Sequence, residues 1–152
     1  ATPPLVAWIN YNPKSDWSPE SFVVSQASYK TTMVTDVGAT NFNASTALAS
    51  IAGLKVTDAV TGKPASGKMY TIPTNDDKAA VSAAFFKALE GVDVVVDEVY
   101  ASDPTTYNFE SFLSTYGLTN SSDLKFVKDK MVLRIDRTMG EATKSLDWYE
   151  SR

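Results

Sequence analysis

The sequence predicts an α+β fold in which two or three helices pack on a mainly antiparallel sheet. Strand patterns outnumber helix patterns, and few strand–helix–strand units follow one another, which disfavours a doubly wound parallel sheet. The chain has 152 residues, 43% of them hydrophobic, so we expect a single globular domain over residues 1–152 with its own core. A β-sandwich with helical insertions is the alternative architecture.

The clearest unit is residues 74–100, where a helix pattern is followed at once by a strand pattern. Thr74 and Asp77 have the spacing of a capping box, and Gly91 predicts the end of the helix. Between these ends, apolar side chains recur at helical spacing: Val81, Ala84, Phe85, Ala88 and Leu89. Residues 92–99 are rich in valine, which predicts a central, mostly buried strand.

Periodicity and turn residues define the remaining elements in chain order. Strands are predicted over residues 5–9, 21–29, 31–37, 54–60, 68–72, 124–127 and 131–135. Helices are predicted over residues 45–52, 104–117 and 141–149. Gly53 and Gly117 supply helix ends, and the two strands around residues 61–67 are expected to form a β-hairpin.

Residues 56–68 have the sequence VTDAVTGKPASGK. This stretch resembles the turn of bacterial surface β-sandwich modules of the carboxypeptidase regulatory-like kind, which often contain the pattern D…TGKP…G. The resemblance implies the β-sandwich alternative and covers these residues alone. The long helix predicted after the turn departs from that family, so no function is carried over from it.

Two residue types are missing from the chain. It contains no cysteine, which excludes disulfides, thiolate nucleophiles and zinc–sulfur sites. It contains no histidine, which removes the usual general base, proton shuttle and transition-metal ligand. Ser-His-Asp and Cys-His catalysis are therefore impossible within this chain, and we expect neither a cofactor nor a metal site.

Charge and hydropathy narrow the range of partners. The net charge of −4 and the pI near 4.8 provide no basic surface for nucleic acid. No apolar run approaches the roughly 20 residues that a membrane-spanning helix needs. We therefore expect self-association or other protein subunits as partners, with a glycan as a further possibility.

The segment over residues 8–17 is the strongest candidate for ligand binding. It combines aromatic rings with amide and carboxylate groups: Trp8, Asn10, Tyr11, Asn12, Asp16 and Trp17. Such surfaces bind sugars because aromatic faces stack on the apolar faces of sugar rings while flanking polar groups bond to the hydroxyls. The alternative interpretation places Trp8 in the core with Trp17 covering it.

Three carboxylates near the predicted central strand suggest hydrolytic chemistry as a further alternative. Asp97 and Glu98 are adjacent in sequence and point to opposite faces of an extended strand. Asp93 and Asp97 share a face but lie roughly 13 Å apart at about 3.3 Å per residue. Glycosidase carboxylates are separated by roughly 5–9.5 Å, so a hydrolase would need a third carboxylate from elsewhere in the chain.

These observations favour a non-catalytic structural or assembly subunit of a virion or cell-surface structure. A carbohydrate- or small-ligand-binding module is the first alternative, and a carboxylate-based hydrolase is the second. Asn43 and Asn120 each begin an N-glycosylation sequon, so glycosylation at both is predicted. The two sequons support an extracellular or cell-surface location.

Overall fold

The segments rich in β-branched and aromatic residues assemble into one open, mixed sheet with helices on both faces. The computed structural model describes residues 2–58, 61, 63, 69–99, 106–119, 122–135 and 146–148. Its strands are β1 Leu5–Asn12, β2 Ser21–Ser25, β3 Thr40–Asn41, β4 Lys55–Thr57, β5 Met69–Pro73, β6 Val94–Asp97, β7 Val132–Ile135 and β8 Leu146–Trp148. Its helices are α1 Ser28–Asp36, α2 Ala44–Ala47, α3 Lys78–Ala88, α4 Phe109–Tyr116 and α5 Lys125–Lys128.

The strand order combines an antiparallel part with a parallel part. Seven strands follow the order β4-β5-β2-β1-β6-β7-β8, and the short β3 pairs with β1 outside that order. Parallel pairs are β1 with β3, β1 with β6, and β6 with β7. The other four pairings are antiparallel. The predicted α+β fold is confirmed, and the described strands form a single sheet instead of the two stacked sheets of a β-sandwich.

The two faces of the sheet bury different side chains because neighbouring residues of a strand point in opposite directions. Ala7 and Ile9 of β1 join the main core, to which α3, α4 and α5 contribute phenylalanines. Trp8 instead joins a smaller cluster with Val34 of α1. One face of the sheet is therefore covered by α1, and the opposite face is covered by α2 to α5.

Phe22 of β2 lies at the centre of the main core. It is fully buried, and its ring stacks on Phe85 of α3 and on Tyr116 of α4, with centroid separations of 5.3 and 6.1 Å. Burial of such a side chain stabilises the fold by about 1.5–3 kcal/mol. The aromatic cluster therefore fixes α3 and α4 against β2.

The start of α3 differs from the predicted capping box. Asp77, not Thr74, is the N-cap, and its carboxylate accepts a hydrogen bond from the Ala80 N–H. Asn75 and Asp76 have left-handed backbone angles, with φ of 51° and 61°, so the chain makes a tight turn before the helix begins. The Thr74 hydroxyl is thereby free to donate to another group.

Two predicted strands are helices in the structure. Residues 31–37 belong largely to α1, although they are rich in threonine and valine, and residues 124–127 belong largely to α5. In α1, Lys30 and Val34 are four residues apart and both are buried on the side that faces the sheet. In α5, the adjacent Phe126 and Val127 are both buried. In α1, burial at helical spacing thus overrides strand propensity, and in α5 the burial of two adjacent side chains departs from the alternation of a strand with one exposed face.

The C-terminal helix predicted over 141–149 is wrong where the structure describes the chain. Residues 146–148 form β8, which pairs antiparallel with β7, and residues 141–145 and 149 lie outside the described residues. The strand predicted over residues 5–9 also ends too early. Asn10 to Asn12 continue β1 and pair with β2.

Several elements agree with their predictions. The hairpin over 54–72 is present as the antiparallel pair β4 and β5. The strands β6 and β7 lie within their predicted ranges, and α4 ends at Gly117, which has a φ of 74°. Within the described ranges, no helix has the length and apolar character that crossing a membrane requires.

Candidate functional site

The carboxyl ends of several strands meet at one edge of the sheet. Strands β1, β6 and β7 are parallel, and β5 has the same direction because it is antiparallel to β2, which is antiparallel to β1. In open sheets with parallel strands, ligands bind in crevices outside the carboxyl ends of those strands. We therefore expect a ligand-binding site at this edge.

A cleft lies at this edge, beyond the ends of β1 and β6. Its volume is about 460 Å³, which is within the range of small-molecule sites. We call it the carboxyl-edge cleft, and its lining residues are Asn10, Tyr11, Asn12, Pro13, Val99, Tyr107 and Thr115. The lining combines two phenol rings, two amides and one hydroxyl with few apolar side chains.

Tyr11 is held by a carboxylate at the start of β2. Its hydroxyl donates to Glu20 Oε2, and the Thr74 hydroxyl donates to Glu20 Oε1 at 2.6 Å. Burial raises the pKa of Tyr11 to about 12, and the hydrogen bond to Glu20 adds to this effect. The hydrogen bond from Thr74 and then the one from Tyr11 lower the pKa of Glu20. Glu20 is therefore an ionised acceptor at neutral pH.

The ring of Tyr11 also contacts a cation. The amino group of Lys78, the first residue of α3, lies 4.4 Å from the ring centroid. This distance is within the range of a cation–π interaction. The positive charge of Lys78 also lowers the pKa of Glu20, so Tyr11 lies beside both a cation and a carboxylate of opposite charge.

A buried aspartate underlies the other tyrosine of the cleft. Asp97, only 1% exposed, accepts hydrogen bonds on Oδ1 from the Tyr116 hydroxyl at 2.7 Å and from the Val99 N–H at 3.1 Å. The Tyr107 hydroxyl donates to Oδ2 at 3.5 Å. Arg134 is paired with Asp97 across β6 and β7, and its Nη1 donates to the Tyr107 carbonyl at 3.3 Å. Tyr107 is thus tied to the sheet through both its side chain and its backbone.

The side-chain amides of Asn10 and Asn12 differ in which hydrogen-bonding groups remain available to a ligand. The Asn10 side chain accepts from the Tyr11 N–H at 2.9 Å and donates to Asn12 Oδ1 at 3.2 Å. Among the described residues, nothing accepts from Asn12 Nδ2 or from the Thr115 hydroxyl. Asn12 and Thr115 therefore supply hydrogen-bonding capacity that a ligand in the cleft can use.

The structure separates the six ligand-binding residues predicted from the sequence. Asn10, Tyr11 and Asn12 lie together in the cleft, whereas Trp8 is 5% exposed and packs on the opposite face of the sheet. The Lys30 amino group lies 5.5 Å from the Trp8 ring centroid, and no described residue accepts from Trp8 Nε1. Trp8 therefore stabilises the second cluster and does not line the cleft.

Asp16 and Trp17 lie in the loop between β1 and β2. Both are exposed, and Trp17 is 88% exposed. The Ser15 N–H donates to the Ser18 carbonyl at 2.9 Å, which closes a turn around these two residues. Neither residue lines the cleft, and Trp17 does not cover Trp8, so a ligand role for Asp16 and Trp17 stays a prediction.

The three carboxylates considered for hydrolysis have separate environments. Asp93 pairs with Lys125 and accepts from the Leu5 N–H at 2.8 Å, and the hydrogen bond from Lys125 lowers its pKa. Glu98 is buried against Lys30 on the face opposite Asp97. Among the described residues, no three carboxylates are grouped closely enough to hold a metal ion.

The first sequon is accessible in the structure. Asn43 is exposed at the N-cap of α2, where its Oδ1 accepts hydrogen bonds from the Thr46 N–H and from the Ser45 hydroxyl. The second sequon residue, Asn120, lies outside the described residues. Glycosylation at either residue stays a prediction.

Sequence reasoning missed Glu20, Tyr107 and Thr115. Glu20 follows Pro19 directly before β2, and Tyr107 directly precedes the N-cap of α4. Polar residues at the ends of elements were a usable signal, because loops at the carboxyl ends of parallel strands carry ligand-binding groups. That signal requires knowledge of which strands are parallel.

Comparison of the chain with protein-family models, with curated proteins and with solved structures finds no match. The function of the carboxyl-edge cleft is therefore inferred from its own geometry.

Proposed function

We propose that the protein is a small-ligand-binding module whose ligand lies in the carboxyl-edge cleft. The observation that carries this proposal is that two amides and two phenols line one cleft at the ends of β1 and β6. The candidate segment 8–17 contributes its middle part, Asn10 to Asn12. The ligand is a carbohydrate or another small polar molecule.

The rigid attachment of the lining supports this proposal. Tyr11 is fixed by Glu20, and Tyr107 is fixed by Asp97 and Arg134. Binding to groups that are already ordered avoids the entropy cost of immobilising them, which is about 0.5–1.5 kcal/mol per side chain. A surface built only for packing has no need for such fixed polar groups around an open cleft.

Nuclear magnetic resonance tests the proposal directly. A library of small polar molecules, including monosaccharides, is titrated into the isotope-labelled protein, and changes of amide shifts are mapped. We expect hits whose shifts concentrate on Asn12, Val99 and Tyr107. Asn12→Ala removes one hydrogen bond, worth about 0.5–1.5 kcal/mol, and is expected to weaken binding about 2- to 12-fold.

A matched variant controls for the loss of a polar surface group. Ser50 lines a different depression between α2 and α3, and Ser50→Ala is expected to leave the affinity unchanged. Hits that map to the depression of Ser50, or an affinity that Asn12→Ala does not alter, contradict the proposal.

A separate observation favours the assembly of subunits as a second candidate. Three apolar residues lie four positions apart along α1 and its C-cap, and all are exposed: Tyr29 at 62%, Met33 at 42% and the C-cap Val37 at 81%. Exposed apolar side chains at helical spacing are typical of surfaces that contact another subunit. This candidate retains the predicted self-association or binding to other protein subunits of a virion or cell-surface structure.

Sedimentation velocity of the protein from its native source tests the second candidate. An assembly subunit sediments as a defined oligomer, and Met33→Lys is expected to dissociate it. Thr32→Lys adds the same charge beside the stripe and is expected to leave the oligomer intact. A monomer at all concentrations contradicts self-association.

We also propose an extracellular or cell-surface location. Support comes from the exposed Asn43, which begins a sequon. The intact mass of native protein tests this location, because an N-glycan at Asn43 adds mass in sugar-sized steps that disappear in Asn43→Gln. A bare mass removes the support from the sequon.

A further inference from the structure

The local sequence of α1 opposes the helix that the structure contains. Its N-cap is Ala27, whose methyl group cannot accept a hydrogen bond, and its first turn contains no acidic residue. That turn contains Lys30 instead, and a cation is unfavourable there because the N-terminal end of the helix dipole is positive. Thr31, Thr32, Val34 and Thr35 are β-branched, which lowers helix propensity further. Contacts with the rest of the fold must therefore hold α1 in place.

The amino group of Lys30 makes the strongest of these contacts. It lies 2.7 Å from both carboxylate oxygens of Glu98, 3.0 Å from Ser25 Oγ and 5.5 Å from the ring centroid of Trp8. Ser25 belongs to β2, Trp8 belongs to β1, and Glu98 directly follows β6. These three strands are neighbours in the sheet, so one side chain connects α1 to all of them. We call these contacts of Lys30 with Ser25, Glu98 and Trp8 the α1 latch.

A buried donor without an acceptor lies beneath the helix. Trp8 is 5% exposed and packs with Val34 of α1. Its indole N–H is fully buried, and no described residue accepts a hydrogen bond from it. Such a donor destabilises the state in which it is buried, and contact with water removes that penalty. The indole therefore favours a state in which α1 has left the sheet.

The chain on either side of α1 is anchored to the sheet. Ser25 of β2 lies three residues before the helix, and β3 follows it and pairs with β1. Among the side chains of α1 that the structure describes, Lys30 and Val34 are the buried ones, and Asn41 Nδ2 donates to the Thr31 carbonyl at 3.1 Å. Segments with few buried contacts open locally while the rest of a protein stays folded. The residues between β2 and β3 have this character.

The α1 latch borders the carboxyl-edge cleft. Asn10 lines the cleft and lies two residues after Trp8, on the same face of β1. Val99 also lines the cleft and directly follows Glu98. Opening of α1 therefore uncovers polar groups of Trp8 and Glu98 next to this cleft.

We propose that α1 is a gate, which opens by local unfolding of residues 28–37 while the sheet stays folded, and which then uncovers the Trp8 indole N–H and the Glu98 carboxylate beside the cleft. A molecule that bonds to these two groups favours the open state, because it binds that state more tightly. The gate is a property of the free protein. The inference therefore goes beyond the proposed small-ligand function and does not depend on it.

Native-state hydrogen exchange, followed by nuclear magnetic resonance at low urea concentrations, tests the gate. We expect the amides of residues 33–36 to have protection factors about 100-fold or more below those of Ala7 to Ile9 in β1, with little dependence on urea because local opening exposes little surface. The Trp8 indole proton is expected to exchange through the same opening. The indole proton of Trp17, which is 88% exposed, serves as the unprotected reference.

Variants change the gate in both directions. Ala27 has φ of −58° and ψ of 144°, outside the helical region as a cap requires, so Ala27→Ser supplies the missing cap and is expected to slow α1 exchange about 2- to 30-fold. Lys30→Met removes the latch and is expected to accelerate α1 exchange about 100-fold or more, while β5 amides remain protected. Ala79→Ser, at an exposed position of α3, is the control and is expected to leave α1 exchange unchanged. The Trp8 indole proton is expected to follow the α1 amides in every variant.

Three outcomes overturn the inference. The first is exchange of the α1 amides with the same protection and urea dependence as β1, which shows that α1 opens only with the whole fold. The second is fast α1 exchange with a Trp8 indole proton that stays protected, because the sheet is then not uncovered. The third is α1 exchange that Ala27→Ser does not slow. None of these outcomes changes the test of the small-ligand function, which is the titration of the library into the cleft.

Discussion

Removal of the Lys30 amino group is expected to destabilise the fold more than loss of any exposed charge. Lys30 and Glu98 are 7% and 8% exposed, and the lysine nitrogen lies 2.7 Å from both carboxylate oxygens and 3.0 Å from the Ser25 hydroxyl. Lys30→Met removes the cation that contacts both oxygens of the buried Glu98 carboxylate. Loss of one partner of a buried ion pair costs about 3–5 kcal/mol, and we expect a loss in that range.

Urea unfolding measures this loss, with Trp8 as an internal fluorescence probe because its ring lies beside Lys30. The midpoint is expected to fall with little change in slope, since the surface exposed on unfolding is nearly the same. Lys125→Met is the matched control: it removes a lysine from the pair with Asp93, in which the Lys125 side chain is 60% exposed. The control is expected to shift the midpoint much less, because solvent screens an exposed pair.

The double variant Lys30→Met/Glu98→Met distinguishes a pair from an isolated charge. Replacement of both partners by apolar side chains of similar volume is often neutral or stabilising, so we expect it to recover most of the loss. If Lys30→Met costs less than about 1 kcal/mol, in the range of a surface pair, the pair is solvated and the reasoning is refuted. A double variant as unstable as the single one refutes it as well.

Four further predictions follow from the site and the helix ends. The Tyr11 resonances are expected to titrate near pH 12, and Glu20→Gln lowers that pKa only in part, because burial is the larger cause. The folded pKa of Glu20 lies below its usual value of 4.5, so the ionised Glu20 side chain stabilises the fold above about pH 4.5, and this stabilisation is lost as the pH falls. In Glu20→Gln, the free energy of unfolding is therefore expected to fall less steeply on the acid side of its pH profile. Asn108→Ala removes the capping box of α4 and is expected to cost about 0.5–2 kcal/mol in urea unfolding, whereas Ser114→Ala in the same helix costs little. Gly117→Ala places a Cβ at 3.3 Å from Ser82 Oγ in a left-handed conformation, so it is expected to cost about 1–2 kcal/mol, and a thermal midpoint equal to that of the unaltered protein contradicts this.

The parts of the fold that could be predicted from sequence carry their own local signals. The helix α4 has an apolar stripe of Phe109, Phe112, Leu113 and Tyr116 followed by a glycine, and the structure places all four in the main core. The hairpin of β4 and β5 has a turn-rich segment between two alternating strands. Periodicity and termination agree in each of these segments, so the prediction needs no information from distant residues.

The segments that were predicted wrongly depend on contacts from distant residues. Residues 31–37 have strand propensity, but Lys30 becomes buried because Glu98, 68 positions later, supplies its counter-ion. That pairing orients α1 with Val34 towards the sheet and the stripe of Tyr29, Met33 and Val37 towards solvent. No local pattern around residue 30 contains this information.

The candidate site was predicted in part for the same reason. Asn10 to Asn12 were found because aromatic and amide side chains are adjacent in sequence. Tyr107 was missed because it reaches the cleft only through the parallel pairing of β1 with β6 and the connection that follows β6. Composition identifies a polar and aromatic segment, whereas the opposite wall of a cleft is set by topology.

Glu20 explains why the loop between β1 and β2 can be long without loosening the cleft. Its carboxylate bonds to Tyr11 at the end of β1, while its backbone carbonyl accepts from the Thr74 N–H at 3.0 Å at the end of β5. Glu20 therefore holds the two ends of the loop together. The exposed Trp17 lies within this loop, and the loop ends cannot move apart unless these hydrogen bonds break. Glu20→Ala should thus weaken ligand binding through disorder of Tyr11, although Glu20 is not among the residues that line the cleft.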